Sequence, residues 1–187
     1  IAMTPPMGPV AISLDGHLQE MEVGDQQLMM PAMTPTQPPS GEWAAVQEAA
    51  DWLVEAENPV IVVDLMSHDQ EGMERLIALA EALQAPVVNQ YGRTNFPNNH
   101  HLSQGANVIA QADLILGLEL YDTWGTVNSL RDRVHKDELR RARPDARVID
   151  IGTKELFWRS NYQSFQRYYA ADLSISGDAQ TTLPILT

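Results

Sequence analysis

Six residues have types and positions that could do chemistry together: Ser67, Gly92, Arg93, Gly117, Glu119 and Asp150. Each lies within, at or just after a short apolar run. In an open parallel sheet, ligands sit beyond the carboxyl ends of such runs. Arg93 follows Gly92, and a guanidinium there can grip a phosphate through two parallel N–H donors. Asp150 closes a run, where a carboxylate can accept from ribose hydroxyls. Glycines let backbone amides approach a phosphate. The six outline a nucleotide-shaped cleft, one that FAD or ADP would fit. Each also has an ordinary reading. Arg93 can pair with a carboxylate such as Glu119, and Asp150 can cap a helix or serve a loop. Asp64 speaks against a nucleotide, because it places negative charge where a diphosphate would approach.

Other chemistries find little support. There is no cysteine, which excludes disulfides, thiolate nucleophiles and Cys-based zinc sites and fits a cytoplasmic protein. His100 and His101 are adjacent and flanked by Asn98 and Asn99 rather than carboxylates, so no metal site is expected. His17, His68 and His135 are isolated. No Gly-x-Ser-x-Gly occurs. The net charge is −13, from 25 acidic and 12 basic residues. The basic stretch Arg131–Arg147 is interleaved with Asp132, Asp137, Glu138 and Asp145, so nucleic acid is not an expected partner. No apolar run is long enough to span a bilayer, and no membrane association is expected.

The elements that must position the cleft follow from periodicity. Val46, Ala49, Ala50 and Leu53 predict an amphipathic helix over 42–56, with Ser40 as its N-cap. Val60 to Asp64 is apolar on both faces, as in a strand covered on both sides. Ser67-His68-Asp69-Gln70 has the form of a capping box before a helix whose buried stripe is Met73, Leu76, Ile77 and Ala80. Strands are expected at 86–89, 114–118, 147–151 and 172–176, with a short helix near 103–111 and a terminal helix at 179–186. Trp124, Val127, Leu130 and Val134 keep helical spacing and predict a helix there. This alternation implies an α/β fold, a parallel sheet of five to six strands with helices on both faces, Rossmann-like. Residues 15–39 carry Pro31, Pro35, Pro38 and Pro39 without apolar periodicity and read as a linker arm. Before it, Gly8 to Leu14 suggests a strand.

Several segments in order carry a resemblance: Asn-Pro-Val-Ile-Val-Val (58–63), Leu-Ala-Glu-Ala-Leu-Gln-Ala-Pro-Val-Val (79–88), Gly-Arg-Thr-Asn-Phe-Pro-Asn-Asn-His-His-Leu-Ser-Gln-Gly (92–105), Ala-Asp-Leu-Ile-Leu-Gly-Leu (112–118), Val-Ile-Asp-Ile (148–151) and Ala-Asp-Leu-Ser-Ile-Ser-Gly-Asp-Ala (171–179). Together they resemble the central domain of thiamine-diphosphate-dependent enzymes of the acetolactate synthase, benzoylformate decarboxylase and pyruvate oxidase group. Gly8–Leu14 resembles the segment that closes the preceding pyrimidine-binding domain. The resemblance implies three domains: 1–14 as the tail end of the first, 15–39 as the arm, and 40–187 as the central DHS-like NAD/FAD-binding architecture.

What the resemblance implies for function is mostly indirect. Thiamine diphosphate and Mg2+ belong to the pyrimidine- and diphosphate-binding domains of the same polypeptide, and the cofactor carries the chemistry on 2-oxo acids. The family's Gly-Asp-Gly with a downstream Asn-Asn is not met, since Gly24-Asp25 and Gly177-Asp178 are each followed by another residue. The chain alone is thus expected to be structural, part of a homo-oligomer, and not catalytic. Nucleotide-binding members usually carry a glycine-rich sequence where this chain has Asp64-Leu65-Met66-Ser67. The aromatic run Trp158, Tyr162, Phe165, Tyr168 and Tyr169 is expected to pack on a neighbouring domain. The alternative is a free-standing FAD or ADP module resembling the electron-transfer flavoprotein α-subunit domain. A third reading is a catalytically dead relic or engineered fragment.

Overall fold

The computed structural model describes residues 2–5, 7–25, 27, 29–90, 94–132, 134–154 and 167–187. It divides into two units, Ile1–Pro38 and Pro39–Thr187. In the first, the one helix among the described residues is α1 (Gly16–Glu20), where the Asp15 carboxylate accepts from the His17 amide at 2.8 Å. Residues 8–14 form no strand, contrary to the expectation. An extended segment counts as a strand only where its amides and carbonyls find a partner ladder. Here Val10, Ile12 and Leu14 are exposed, as are Met29, Met30 and Met33 of the arm.

The second unit is built on five parallel strands. They are β1 (Pro59–Val63), β2 (Val87–Asn89), β3 (Leu114–Leu118), β6 (Arg147–Gly152) and β7 (Leu173–Ser176), in the order β2-β1-β3-β6-β7. A separate antiparallel pair joins β4 (Asn128–Leu130) and β5 (Glu138–Arg140). Every residue of β1 and β3 is buried, which is why both read as unbroken apolar runs. Side chains alternate between two cores. Ile61, Val63, Leu116 and Ile149 face one, and Val60, Val62, Ile115 and Val148 face the other.

Helices cover both faces. The first core is closed by α2 (Trp43–Glu55), α3 (Gln70–Leu83) and α5 (Ala179–Leu186), through Val46, Leu53, Leu76, Leu79 and Leu183. The second is closed by a 3-10 helix (Ala106–Gln111), by α4 (Thr123–Val127), and by Ala142 and Ala146. Helix α5 contains Pro184, which has no N–H for the carbonyl of Gln180. Arg75 of α3 fills that vacancy, its Nη1 donating to the Gln180 carbonyl at 3.0 Å.

Three local expectations are corrected. The N-cap of α2 is Glu42, not Ser40, and its two oxygens accept from Ala44 and Ala45 at 3.0 and 2.9 Å. The N-cap of α3 is Asp69, whose carboxylate accepts from Gly72 at 2.9 Å, while Gln70 bonds Glu74 instead of reaching back. An aspartate two residues closer to the helix takes the place of the capping-box serine. The helical spacing after Trp124 ends at Val127. Asn128 stops it, its side chain donating to the Trp124 carbonyl at 3.3 Å. Asp132 then bonds the amides of Val134 and His135, and Lys136 takes φ 57°, which turns the chain into the β4–β5 hairpin.

Candidate functional site

The strands run 2-1-3-4-5 when the sheet is counted in chain order, so neighbours β1 and β3 mark the point where connections diverge. A ligand of this fold would enter between their carboxyl ends. Asp64 stands there instead, fully buried, with Oδ2 accepting from the Tyr121 amide at 3.0 Å. Its backbone is tied to β3 through Asp64 N–H to Leu118 O at 3.2 Å. The carbonyl of Asp64 accepts from the Asn95 side chain at 2.6 Å.

Ser67 works for this same loop network. Its amide donates to Asn95 Oδ1 at 2.9 Å and its hydroxyl to the Asn95 carbonyl at 3.3 Å. Asn95 N–H in turn donates to Asn89 Oδ1 at the end of β2. Ser67 therefore pins the segment around residue 95. Gly92 and Arg93 lie outside the described residues.

Gly117 is paired with Asp150 in the β3–β6 register. A Cβ on Gly117 would lie 2.4 Å from Leu120 Cδ1, so the glycine makes room for a side chain that folds back over the strand. Asp150 is buried. It accepts from Thr123 Oγ1 at 2.7 Å and is ion-paired with Lys154, four residues further on. Its second oxygen, Oδ1, is buried without a partner among the described residues. A small, open polar cleft lies beside it and is bordered by Thr123, Lys154, Tyr169 and Ser174. The Lys154 ammonium already serves Asp150, Thr123 and the Leu120 carbonyl.

Glu119 follows β3 with φ 50°, a left-handed backbone uncommon for a residue with a side chain. Its carboxylate turns inward. Oε2 accepts from the Thr153 amide and hydroxyl, both at 3.0 Å, and Oε1 accepts from the Ala179 amide at 3.0 Å. Burial pushes its carboxyl above the ordinary glutamate value, the three hydrogen bonds oppose this, and the neighbouring Asp178 adds to the rise.

Asp178 precedes α5 and was not among the candidates, although an aspartate before an apolar helix is an N-cap signal. It accepts from the Thr181 amide and hydroxyl at 2.8 and 2.6 Å. His68, expected to be isolated, lies 2.6 Å from its Oδ1. Burial alone would raise the Asp178 carboxyl, but the bonds from His68 and Thr181 outweigh it and hold it below the ordinary aspartate value.

These contacts test the fit of a nucleotide. Phosphate sites use the unspent amides of helix N-termini. Among the described residues, three α-helix starts already hold a carboxylate of the chain: Asp69 on α3, Asp122 on α4, and Asp178 with Glu119 on α5. At these three starts a phosphate of FAD or ADP would compete with a carboxylate already in place. His100 and His101 also differ from a metal site. They stack in a turn at 4.5 Å, and His100 pairs with Glu81 at 3.2 Å. No group of three or more metal-ligating side chains occurs among the described residues.

A Rossmann-like α/β domain with an acid-lined, internally bonded sheet edge is what the fold and the site define. The chain belongs to the family of thiamine pyrophosphate enzyme central domains, which it matches over residues 46–186. It is 28% identical over 198 aligned positions to the probable acetolactate synthase large subunit of Methanocaldococcus jannaschii, covering 98% of this chain and 31% of that protein. It resembles the benzoylformate decarboxylase of Polynucleobacter necessarius with a TM-score of 0.67 and 20% identity, over 99% of this chain and 33% of that one. A putative thiamin diphosphate-dependent enzyme of Mycobacterium smegmatis gives a TM-score of 0.63 at 19% identity, over 99% and 34% of the two chains. The chain thus spans about a third of the length of these proteins.

Proposed function

We propose that this chain is the spacing and assembly domain of a thiamine-diphosphate-dependent enzyme acting on 2-oxo acids. The observation that carries this reading is the family match over residues 46–186. The relatives supply the class of chemistry: the acetolactate synthase relative and the benzoylformate decarboxylase neighbour each extend about two-thirds beyond the matched region. Thiamine diphosphate and Mg2+ are assigned to the pyrimidine- and diphosphate-binding domains of the parent polypeptide. The carboxylates of Asp69, Glu119 and Asp178 are already bound to helix starts of this chain, which supports that assignment. In this reading residues 1–14 are the tail of the preceding domain and 15–39 the arm, and the unit boundary at Pro38 falls at the end of the arm. The parent is a cytoplasmic homo-oligomer in this reading. Ser67, Gly117, Glu119 and Asp150 shape the sheet edge and touch no substrate.

The test compares the 187-residue chain with its full-length parent in calorimetry against thiamine diphosphate and Mg2+. The parent is expected to give saturable heat and the chain none. Saturable binding by the chain, or none by the parent, overturns the assignment.

A further inference from the structure

The Thr153 amide and hydroxyl and the Ala179 amide converge on one point. Thr153 follows β6, and Ala179 opens α5 just after β7. Both are places where the chain leaves the carboxyl end of a strand, the positions from which this architecture addresses an anionic ligand. The point is occupied by a carboxylate from the same chain. Glu119 reaches it from the end of β3 and is itself buried. Asp64 closes the neighbouring gap between β1 and β3, and Asp178 adds a second buried carboxylate at the start of α5. A nucleotide diphosphate entering here would have to displace one buried carboxylate and face two more.

We propose that Glu119 is a built-in anion: its carboxylate holds the place that a ligand phosphate would need at Thr153 and Ala179, and so closes the domain to ADP and FAD. The positive φ of Glu119 is the local cost of aiming the side chain inward. This proposal goes beyond the assembly role and does not rest on the chemistry of any parent enzyme.

The experiment has two arms on the 187-residue chain. In the first, ADP and FAD are titrated by calorimetry. No saturable heat is expected, and binding tighter than about 1 mM overturns the proposal. In the second, Glu119→Gly removes the carboxylate while suiting the backbone at φ 50°. Its melting temperature is compared in sodium formate and sodium chloride at equal ionic strength. Formate is expected to raise the variant by several degrees and to leave the parent unmoved, because it binds only the emptied folded form. If the variant is unfolded in chloride, the readout becomes recovery of far-ultraviolet dichroism on adding formate. Equal behaviour in the two salts overturns the proposal.

Discussion

His68 Nε2 lies 2.6 Å from Asp178 Oδ1, which joins the loop after β1 to the start of α5 across 110 residues of chain. The His68 amide adds a second link by donating to Gln180 Oε1 at 2.7 Å. The loop and the helix thus form one cooperative corner. In a double-mutant cycle of His68→Leu and Asp178→Asn, a coupling of about 1–3 kcal/mol is expected from urea unfolding. Additive losses would show that the two residues act separately.

The same corner sets a pH dependence of known sign. Asp178 titrates below its ordinary 3.8 in the folded chain. Its contribution is complete above 3.8 and is lost as pH falls through the lower folded value. The stability difference between the parent and Asp178→Asn should therefore shrink on acidification and level off above pH 3.8. Urea midpoints across the acid range measure it.

Glu119 behaves oppositely. Its folded carboxyl holds a proton to higher pH than the ordinary 4.5 of the unfolded chain. The advantage this gives the folded state is complete below 4.5 and fades as pH rises through the folded value. The difference between the parent and Glu119→Gln should fall with rising pH above 4.5. A flat difference would contradict the burial-driven shift.

Two glycines should differ in tolerance. At Gly117 an added Cβ meets the mobile end of Leu120, whereas at Gly177 it meets the Gly41 amide nitrogen at 2.5 Å and Ser40 C at 2.7 Å. Backbone cannot step aside as a leucine methyl can. Gly177→Ala is expected to cost about 2–4 kcal/mol and Gly117→Ala about 1 kcal/mol, by chemical denaturation. The reverse order would place the tighter constraint under Leu120.

Lys154 neutralises Asp150, which is almost wholly buried. Lys154→Met should cost about 2–4 kcal/mol by leaving that carboxylate unpaired. Adding Asp150→Asn should recover more than half of the loss. No recovery would mean that the lysine stem, not its charge, carries the effect.

The strands were legible because both faces of the sheet are covered: Val60–Val63 and Leu114–Leu118 had to be apolar throughout, and Val148, Ile149 and Ile151 mark the next strand. The helix caps were less legible. Ser67 fits a capping box in one dimension, but Asn95 claims both its amide and its hydroxyl from 28 residues away. The hairpin at 128–140 was hidden because Trp124 and Val127 do begin a helix, and only side-chain bonds from Asn128 and Asp132 stop it. Of the proposed cleft, the structure gathers Gly117, Glu119 and Asp150 on the neighbouring strands β3 and β6. The tasks of Glu119 and Asp150 were not readable from type and position, because they depend on Ala179, Thr153 and Thr123, remote in sequence.

The proline in α5 makes that helix dependent on its neighbour. Eight residues with one hydrogen bond missing cannot hold a helix unaided. The Gln180 carbonyl is satisfied by Arg75, so α5 leans on α3 for a bond its own turn lacks. The core under α2 and α3 in turn stays open until Ala179 and Leu183 arrive. Residues 179–186 therefore depend on tertiary packing for their helical form, and the hydrophobic face under α2 and α3 is covered only where they dock.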